Sequence, residues 1–432
     1  MKKSFTGRDR GREGVGRSAE EPIQVQLPLG MLATLEDVQQ GFFSLCIAAG
    51  REVLTAMMER EREALCGAKW IPNAQRRAVR SGTMKSQVTL GGRRIEMKRL
   101  RARSIGGKEL RLPSFEFAAG RDPLDSRTLE AISVGVSTRN YARSLDPLPE
   151  EETEWSVARS SVSRRFVAMS ARMLTRWLSQ PLDPLHIRVV IIDGIFFRDH
   201  CVLIALGVAS DGAKHVLGLR EGSAENAIVA KGLLGDLIER GLSPQPVYLF
   251  VIDGSKAIRR AITELFGDLA VVHRCHFHKI RNVLGHLPQT MHANVRRAMN
   301  QAYESTDADL AQRQLERLAR SLERDHPGAA ASVREGLEET LTLQRLGVAG
   351  ALYRSLRSTN AIENLNGSVV SFCRNVRRWR DGSMLLRWIG ASLREAQNRF
   401  RRLRGFRDLK HLVAALDRRT ERQGVELKKR VA

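Results

Sequence analysis

The chain has 432 residues, enough for two or three domains, and its 71 lysines and arginines against 48 acidic residues give a formal net charge of +23. So large a cationic excess favours a polyanionic partner, with nucleic acid as the first candidate. No apolar run reaches the length of a membrane span, and residues 1–30 have the composition of a flexible basic arm rather than of a secretory signal. The five scattered cysteines argue against a disulfide framework and predict a reducing, cytoplasmic location.

Residues 31–180 are predicted to form a DNA-binding region. Apolar residues recur at helical spacing over 32–67, and a β-hairpin is predicted over 82–104 with its turn at Gly91-Gly92. The second strand of this hairpin is strongly basic, and two interpretations stay open: a solvated edge strand or a ribbon that contacts phosphates.

A helix-turn-helix is the second DNA-binding element predicted in this region. Within 126–145, Gly135 is followed by a polar helix start, so a second helix could enter a major groove. Another helix is predicted over 160–180. The side chains predicted to bind DNA in this region are Arg93, Arg94, Arg139, Arg164 and Arg165.

The stretch 180–186 contains two prolines and marks the main predicted domain boundary. Beyond it, short apolar strands and amphipathic helices follow in the order βββαβαβ over 187–278. This order predicts an α/β fold with a ribonuclease-H-like mixed sheet, in which right-handed crossovers lead to parallel strands. A helical insertion is predicted over 279–350, the last part of the same domain over 351–400, and a basic C-terminal tail over 401–432.

Two Ile-Asp-Gly sequences place Asp193 and Asp253 within or directly after predicted buried strands. An Asp-Gly pair commonly forms a turn. At Asp193 that interpretation is weak, because the apolar run continues and two-residue alternation puts Asp193 on one face with Ile191 and Ile195. Asp253 would lie at the carboxyl edge of the sheet, where open α/β sheets commonly carry their sites. On adjacent parallel strands, the two carboxylates could share a divalent cation that offsets the cost of ionising them.

The stretch RSTNAIENLNG, residues 357–367, offers a third carboxylate at Glu363. Asn360 could cap a helix, with Glu363 at the capping-box position three residues later. Alternatively, Glu363 completes a site for two magnesium ions, which need more oxygen ligands than two aspartates supply. A capping box accepts glutamine in place of glutamate, whereas a metal ligand needs the charge.

Four stretches together resemble the Mutator family of bacterial insertion-sequence transposases: IIDGIFF, VIDGSKAIRRAI, CHFHKIRNVLGHLP and STNAIENLN. The resemblance extends from about residue 30 to 415. It implies a ribonuclease-H-like catalytic domain whose Asp-Asp-Glu triad, formed here by Asp193, Asp253 and Glu363, binds two Mg²⁺ or Mn²⁺ ions. The chain departs mildly from the usual Glu-Ser-Leu-Asn wording of the family, since Asn364 replaces the serine.

The resemblance also implies what the protein acts on and where. The expected reaction is cleavage at the terminal inverted repeats of an element, followed by strand transfer into target DNA through 3′-hydroxyl attack. The expected assembly is a homo-oligomer that bridges both element ends, in the bacterial cytoplasm and on the nucleoid when bound to DNA.

A Cys-x-x-His sequence lies between the second and third predicted carboxylates. Cys275 and His278 have the spacing found in the family, but zinc is not expected, because a structural zinc site requires a second pair of ligands. Together with three polar residues among the next four, they are predicted to be structural or close to DNA. The residues after His278 in this prediction are Lys279, Arg281 and Asn282.

Other functions find less support in the sequence. No glycine-rich phosphate loop, nucleophile elbow or dinucleotide fingerprint is recognisable, so no nucleotide cofactor is expected. Two alternatives to a transposase stay open: a structure-selective nuclease on the same fold, and a non-catalytic DNA-binding regulator derived from a transposase. A missing acidic residue would favour the regulator, and none of the three is missing.

Overall fold

A computed structural model describes most of the chain, which divides into two compact units: Met1–Arg127 with Ala142–Ala158, and Thr128–Tyr141 with Arg159–Ala432. The arm predicted over 1–30 and most of the helix-turn-helix predicted over 126–145 lie outside the described residues. Among the residues described, no helix combines the length and the apolar character needed to cross a membrane. The described residues are 35–90, 93–120, 131–132, 136, 139–144, 159–222, 226–244, 246–267 and 270–431.

The described residues of the first unit form two α-helices and a three-stranded antiparallel sheet in the order β1-β2-β3. The predicted hairpin is confirmed, because β1 and β2 pair antiparallel up to Leu90 and Arg93 on either side of the predicted turn. Met58, Ile95 and Met97 are buried in the core between α1 and the sheet. The elements are α1 (Leu35–Cys66), β1 (Ala78–Leu90), β2 (Arg93–Ser104), β3 (Glu109–Leu110) and α2 (Pro113–Gly120).

The basic side chains of β2 divide into paired and exposed groups. Arg99 and Arg101 both form ion pairs with Glu109, at 3.1 and 2.7 Å. Arg94 and Lys98 are exposed. Arg103 is exposed as well, so these three side chains are the described part of this strand that can meet a phosphate backbone.

A five-stranded mixed sheet forms the centre of the second unit, with the strand order β6-β5-β4-β7-β8. Strands β4, β5 and β6 are antiparallel neighbours, while β7 runs parallel to β4 and β8 parallel to β7. The predicted order βββαβαβ and the adjacency of the first and fourth strands are thus confirmed. The elements are α3 (Arg159–Leu178), β4 (Ile187–Phe197), β5 (His200–Ala209), β6 (Lys214–Gly222), α4 (Ala227–Glu239), β7 (Leu249–Ile252), α5 (Lys256–Phe266) and β8 (Val271–Arg274).

Helices cover both faces of this sheet, so its strands are apolar on both sides. Val190 and Ile192 of β4 pack with α4 and α5 on one face. Val189, Ile191 and Ile195 belong to a second core, shared with helices from the C-terminal part of the chain. The alternation predicted for β4 is therefore the one observed.

The rest of the chain is helical among the described residues. Residues 401–432, predicted as a basic tail, contribute to the core in their first half, because Leu409, Leu412 and Leu416 are buried against the β4 side of the sheet. The helices are α6 (His276–Leu284), α7 (Gln289–Glu304), α8 (Ala308–Leu322), α9 (Pro327–Arg334), α10 (Leu337–Thr340), α11 (Thr342–Arg345), α12 (Gly350–Leu356), α13 (Asn360–Cys373), α14 (Gly382–Asn398) and α15 (Leu409–Val431).

Candidate active site

Asp193 is a polar residue on an otherwise apolar face of β4. It is half-buried between the buried side chains of Ile191 and Ile195. Burial, and secondarily the charge of Asp253, raises the pKa of the Asp193 carboxyl from its ordinary 3.8 to about 6. The carboxylate is thus held where its negative charge is costly without a cationic partner.

Asp253 directly follows β7, the strand that runs parallel to β4. Ile252 is paired in register with Ile192, so Asp253 and Asp193 occupy equivalent next positions on adjacent parallel strands. The Oδ1 atom of Asp253 accepts a hydrogen bond from the backbone N–H of Ser255 at 2.8 Å. Gly254, with φ at 107°, makes the tight turn between strand and helix, a conformation that glycine adopts without a steric penalty. This turn fixes the Asp253 carboxylate at the carboxyl edge of the sheet.

Glu363 lies in the first turns of α13. The helix is capped by Thr359 rather than Asn360, and no side-chain hydrogen bond caps it, so the capping-box interpretation is wrong. Instead, the Thr359 hydroxyl donates a hydrogen bond to Glu363 Oε1 at 2.6 Å. The helix cap lies one residue earlier than predicted, and the backbone N–H of buried Thr359 donates to the sulfur of Cys275 at 3.4 Å. Glu363 therefore has no role in satisfying the helix end.

Asp253 and Glu363 both lie within electrostatic reach of Asp193. Asp253 and Glu363 both raise the pKa of Asp193, while His278 acts in the opposite direction. Hydrogen bonding to Cys275, followed by the charges of Asp253 and Glu363, raises the pKa of His278 against the effect of burial. A cluster of oxygen donors with excess negative charge suits a hard divalent cation such as Mg²⁺. The carboxylate chemistry of this set suits that ion, although the described side chains whose ligand atoms all lie within 4.8 Å of one another are Cys275, His278 and Glu363.

Asn366 is a residue of this cluster that the sequence analysis missed. It lies one helical turn after Glu363 on the same side of α13, and its Nδ2 donates to Asp193 Oδ2 at 2.9 Å. Its Oδ1 is buried and has no hydrogen-bond partner among the described residues. Its spacing of three residues from Glu363 puts it on the same side of the helix, but the sequence does not show that this side packs on β4.

The residues after His278 separate into buried and exposed ones. Lys279 is buried, and its Nζ donates to the carbonyl oxygens of Ser332 and Glu335 at the C-terminal end of α9. Burial lowers the pKa of this ammonium to about 8. Arg281 and Asn282 are exposed on α6. Of the two roles predicted for Lys279, these contacts fit the structural one.

Replacing Lys279 with methionine is expected to lower the free energy of unfolding by about 2 to 3 kcal/mol, because two carbonyls lose a charged donor. Chemical denaturation measures this loss. The matched control is Arg281→Met on the exposed side of the same helix, which we expect to be nearly as stable as the wild type. Equal stability of the two variants would contradict the structural role.

The other two histidines of the segment are packing residues. Burial lowers the pKa of His273 to about 4, so its ring is neutral near pH 7. The ring of His276 stacks on Tyr303 with centroids 3.8 Å apart, and its Nε2 lies 2.8 Å from the carbonyl oxygen of Thr340. In this segment, His278 is thus the histidine that lies beside the carboxylates.

The arginines predicted to bind DNA occupy both units. Arg94 in the first unit is exposed, and so are Arg139 and Arg164 in the second. Arg165 is half-buried on α3. Arg93 begins β2, next to the predicted turn. Their contribution to DNA binding stays a prediction.

The fold and these side chains define a mixed α/β protein with two aspartates on adjacent parallel strands of its sheet and a glutamate on the helix packed beside them. A family model described as the Mutator family of transposases matches residues 31–402. Because this match covers most of the sequence, the chain belongs to the Mutator family of insertion-sequence transposases.

Individual relatives agree with this assignment. The chain is 26% identical over 352 residues to the transposase for insertion sequence element IS256 in transposon Tn4001 of Staphylococcus aureus, covering 79% of this chain and 87% of that protein. It is 28% identical over 341 residues to the transposase for element ISRM5 of Rhizobium meliloti, covering 74% and 78%. A transposase for element IS6120 of Mycolicibacterium smegmatis is 31% identical over 184 residues, where the chain spans only 55% of that relative's length.

Proposed function

We propose that this protein is a DNA transposase that cleaves the ends of an insertion sequence and joins them to target DNA. The observation that carries the proposal is the grouping of Asp193, Asp253 and Glu363, with the first two on adjacent parallel strands. The strand order of the sheet supports a ribonuclease-H-like catalytic domain, in which these carboxylates form an Asp-Asp-Glu triad.

The triad is proposed to hold two divalent metal ions, Mg²⁺ or Mn²⁺. When bound, such ions would activate the attacking oxygen and stabilise the leaving oxygen of a phosphodiester. The donor set supports this assignment, since Asp193 has a raised pKa and its two acidic neighbours add further negative charge. Within the protein, Asn366 orients the carboxylate of Asp193, and Thr359 orients that of Glu363.

The reaction proceeds in two phosphoryl transfers at this site. In the first, a water oxygen forms a bond to phosphorus at the element end, and the bond from phosphorus to the 3′ oxygen breaks, leaving a 3′-hydroxyl. In the second, the oxygen of that hydroxyl forms a bond to phosphorus in the target strand and loses its proton to solvent, while the bond from that phosphorus to the target's own 3′ oxygen breaks, leaving a new 3′-hydroxyl on the target that takes its proton from solvent. One phosphodiester is exchanged for another in the second step, so no nucleotide is hydrolysed.

A basic loop offers a path for DNA toward the triad. The exposed arginines of this loop, between α13 and α14, are Arg374, Arg377, Arg378 and Arg380. Trp379 packs edge-on against Phe197 with ring centroids 5.4 Å apart, which ties the loop to the end of β4. Phe197 is four residues beyond Asp193, roughly 13 Å along the strand. We propose that these arginines neutralise phosphates next to the scissile bond, in a homo-oligomer that holds both element ends.

The proposal is tested with purified protein and DNA that carries the native element ends. We expect nicks with 3′-hydroxyl ends at the element boundary and joined products with a target plasmid, both dependent on Mg²⁺ or Mn²⁺. DNA binding without cleavage in either metal would overturn the proposal in favour of a regulator. Cleavage that ignores the element ends and yields no joined product would overturn it in favour of a nuclease.

Asn366→Ala is expected to reduce strand cleavage by about 10- to 100-fold, the range typical for losing a side chain that orients a metal ligand. The Mg²⁺ concentration for half-maximal cleavage should rise in parallel. The control is Asn364→Ala, because Asn364 is exposed on the same helix. Equal metal requirement in the two variants would show that Asn366 does not position Asp193.

A further inference from the structure

Cys275, His278 and Glu363 come together although 85 residues separate His278 from Glu363 in the sequence. Cys275 caps α6 as the residue directly before it, and His278 lies in the first turn of that helix. One potential ligand atom from each of the three side chains lies within 4.8 Å of the other two. His278 Nδ1 is 3.7 Å from Glu363 Oε1.

The hydroxyl of Thr359 lies among these three ligand atoms. It is 3.4 Å from Cys275 Sγ, 3.4 Å from His278 Nδ1 and 2.6 Å from Glu363 Oε1. In a tetrahedral zinc site, sulfur, nitrogen and oxygen ligands are separated by about 3.3 to 3.6 Å. The three proposed ligand atoms already lie within 4.8 Å of one another, with His278 Nδ1 at 3.7 Å from Glu363 Oε1, so movements of about 1 Å would bring them to this spacing.

We propose that Cys275, His278 and Glu363 form a binding site for a zinc ion, with water as the fourth ligand. Zinc was not expected from the sequence, because the Cys-x-x-His pair had no second pair of ligands nearby. The fold supplies the third ligand from α13. The site has the three protein ligands and one open position typical of zinc sites that are not purely structural.

Zinc at this site would compete with the magnesium function of the triad. Thiolate and imidazole ligands favour zinc, whereas an all-oxygen set favours magnesium. Although burial alone would raise it, the pKa of the Cys275 thiol is lowered by hydrogen bonds from His278 and Thr359, which favours the thiolate that zinc binds. Glu363 belongs to both sets, so zinc occupancy would withdraw it from Asp193 and Asp253. This inhibitory consequence rests on the proposed function, but the zinc site itself does not.

The zinc site is tested on the full metal-free chain without DNA, using Co²⁺ as a spectroscopic substitute for zinc. We expect one equivalent of Co²⁺ to give a thiolate-to-cobalt charge-transfer absorption that added zinc abolishes. Cys275→Ser should lose this absorption and bind zinc at least about tenfold more weakly. Cys373→Ser is the matched control, because Cys373 is another buried cysteine on α13, about 15 Å along the helix from Glu363. It should retain the signal.

Absence of the thiolate absorption in the wild-type chain would overturn the site, and so would its persistence in Cys275→Ser. Because the wild-type spectrum is decisive, the test does not depend on the folding of any variant. His278→Asn provides a second variant, which should weaken zinc binding while leaving the thiol in place.

Inhibition is tested by adding zinc to the Mg²⁺-dependent cleavage reaction. We expect cleavage to be lost and then restored by a chelator that is selective for zinc. Unchanged cleavage with zinc bound would overturn the inhibitory consequence alone.

Discussion

Glu363→Gln is expected to give a folded protein that binds element-end DNA but cleaves it at least about 100-fold more slowly than the wild type. The reason is the loss of a charged metal ligand, which should cost more than the 10- to 100-fold typical of residues that merely orient such ligands. The helix should tolerate the change, because Glu363 does not cap it and glutamine can still accept the hydrogen bond from Thr359. Single-turnover cleavage and a DNA-binding titration measure the two effects separately.

The matched control for this variant is Glu323→Gln. Glu323 is exposed and forms an ion pair with Arg334 in the helical segment before α13. It undergoes the same change of charge, so a fall in cleavage common to both variants would reflect net charge and DNA affinity. Cleavage at the wild-type rate by Glu363→Gln would remove Glu363 from the active site.

Asp193→Asn is expected to abolish cleavage and yet stabilise the metal-free protein by up to about 3 kcal/mol at neutral pH. This figure follows from the raised pKa of Asp193, from 3.8 to about 6, at 1.36 kcal/mol for each unit. At a pH below 3.8, the ordinary pKa of aspartate, the carboxyl is protonated in both the folded and the unfolded chain. Between pH 3.8 and about 6, Asp193 ionises in the unfolded chain but stays protonated in the folded chain, so the free energy of unfolding falls as the pH rises. Above pH 6 the folded protein carries the full cost of the buried charge. Asparagine removes the penalty because it never ionises.

Denaturant unfolding between pH 4 and 8 in the presence of a chelator tests this prediction. The stability of the wild type should fall over this range relative to Asp193→Asn, and added Mg²⁺ should restore part of it in the wild type alone. Asp199→Asn is the control, since Asp199 is an exposed aspartate in the turn after β4. Parallel curves for the wild type and Asp193→Asn would contradict the prediction.

The central sheet could be predicted from the sequence because its strands have strong local patterns. In β4, alternate residues pack into two different cores, so both faces of the strand are apolar and the sequence shows an almost unbroken apolar run. The turn after β7 was also predictable, since Asp253, Gly254 and Ser255 are typical of a strand that leads into a helix. These local signals located Asp193 and Asp253.

Other parts of the site depend on contacts between distant segments, which local patterns do not encode. Thr359, which caps α13, contacts Cys275 from a distant segment, whereas the local sequence favoured Asn360 as the cap. Asn366 could not be recognised as a partner of Asp193 without knowing which face of α13 packs on β4. Lys279 follows the Cys-x-x-His pair and is the kind of basic residue that commonly contacts DNA. In the fold, however, α9 packs over it and buries its ammonium group.

The most direct test of the central claim is the binding of Mn²⁺ to the metal-free protein, measured by electron paramagnetic resonance. The claim is that Asp193, Asp253 and Glu363 form one metal-dependent cleavage centre. We expect the wild type to bind Mn²⁺ and to cleave element-end DNA in the same solution, and Asp253→Asn to lose both properties while still binding DNA. Wild-type Mn²⁺ affinity and cleavage by Asp253→Asn would contradict the claim.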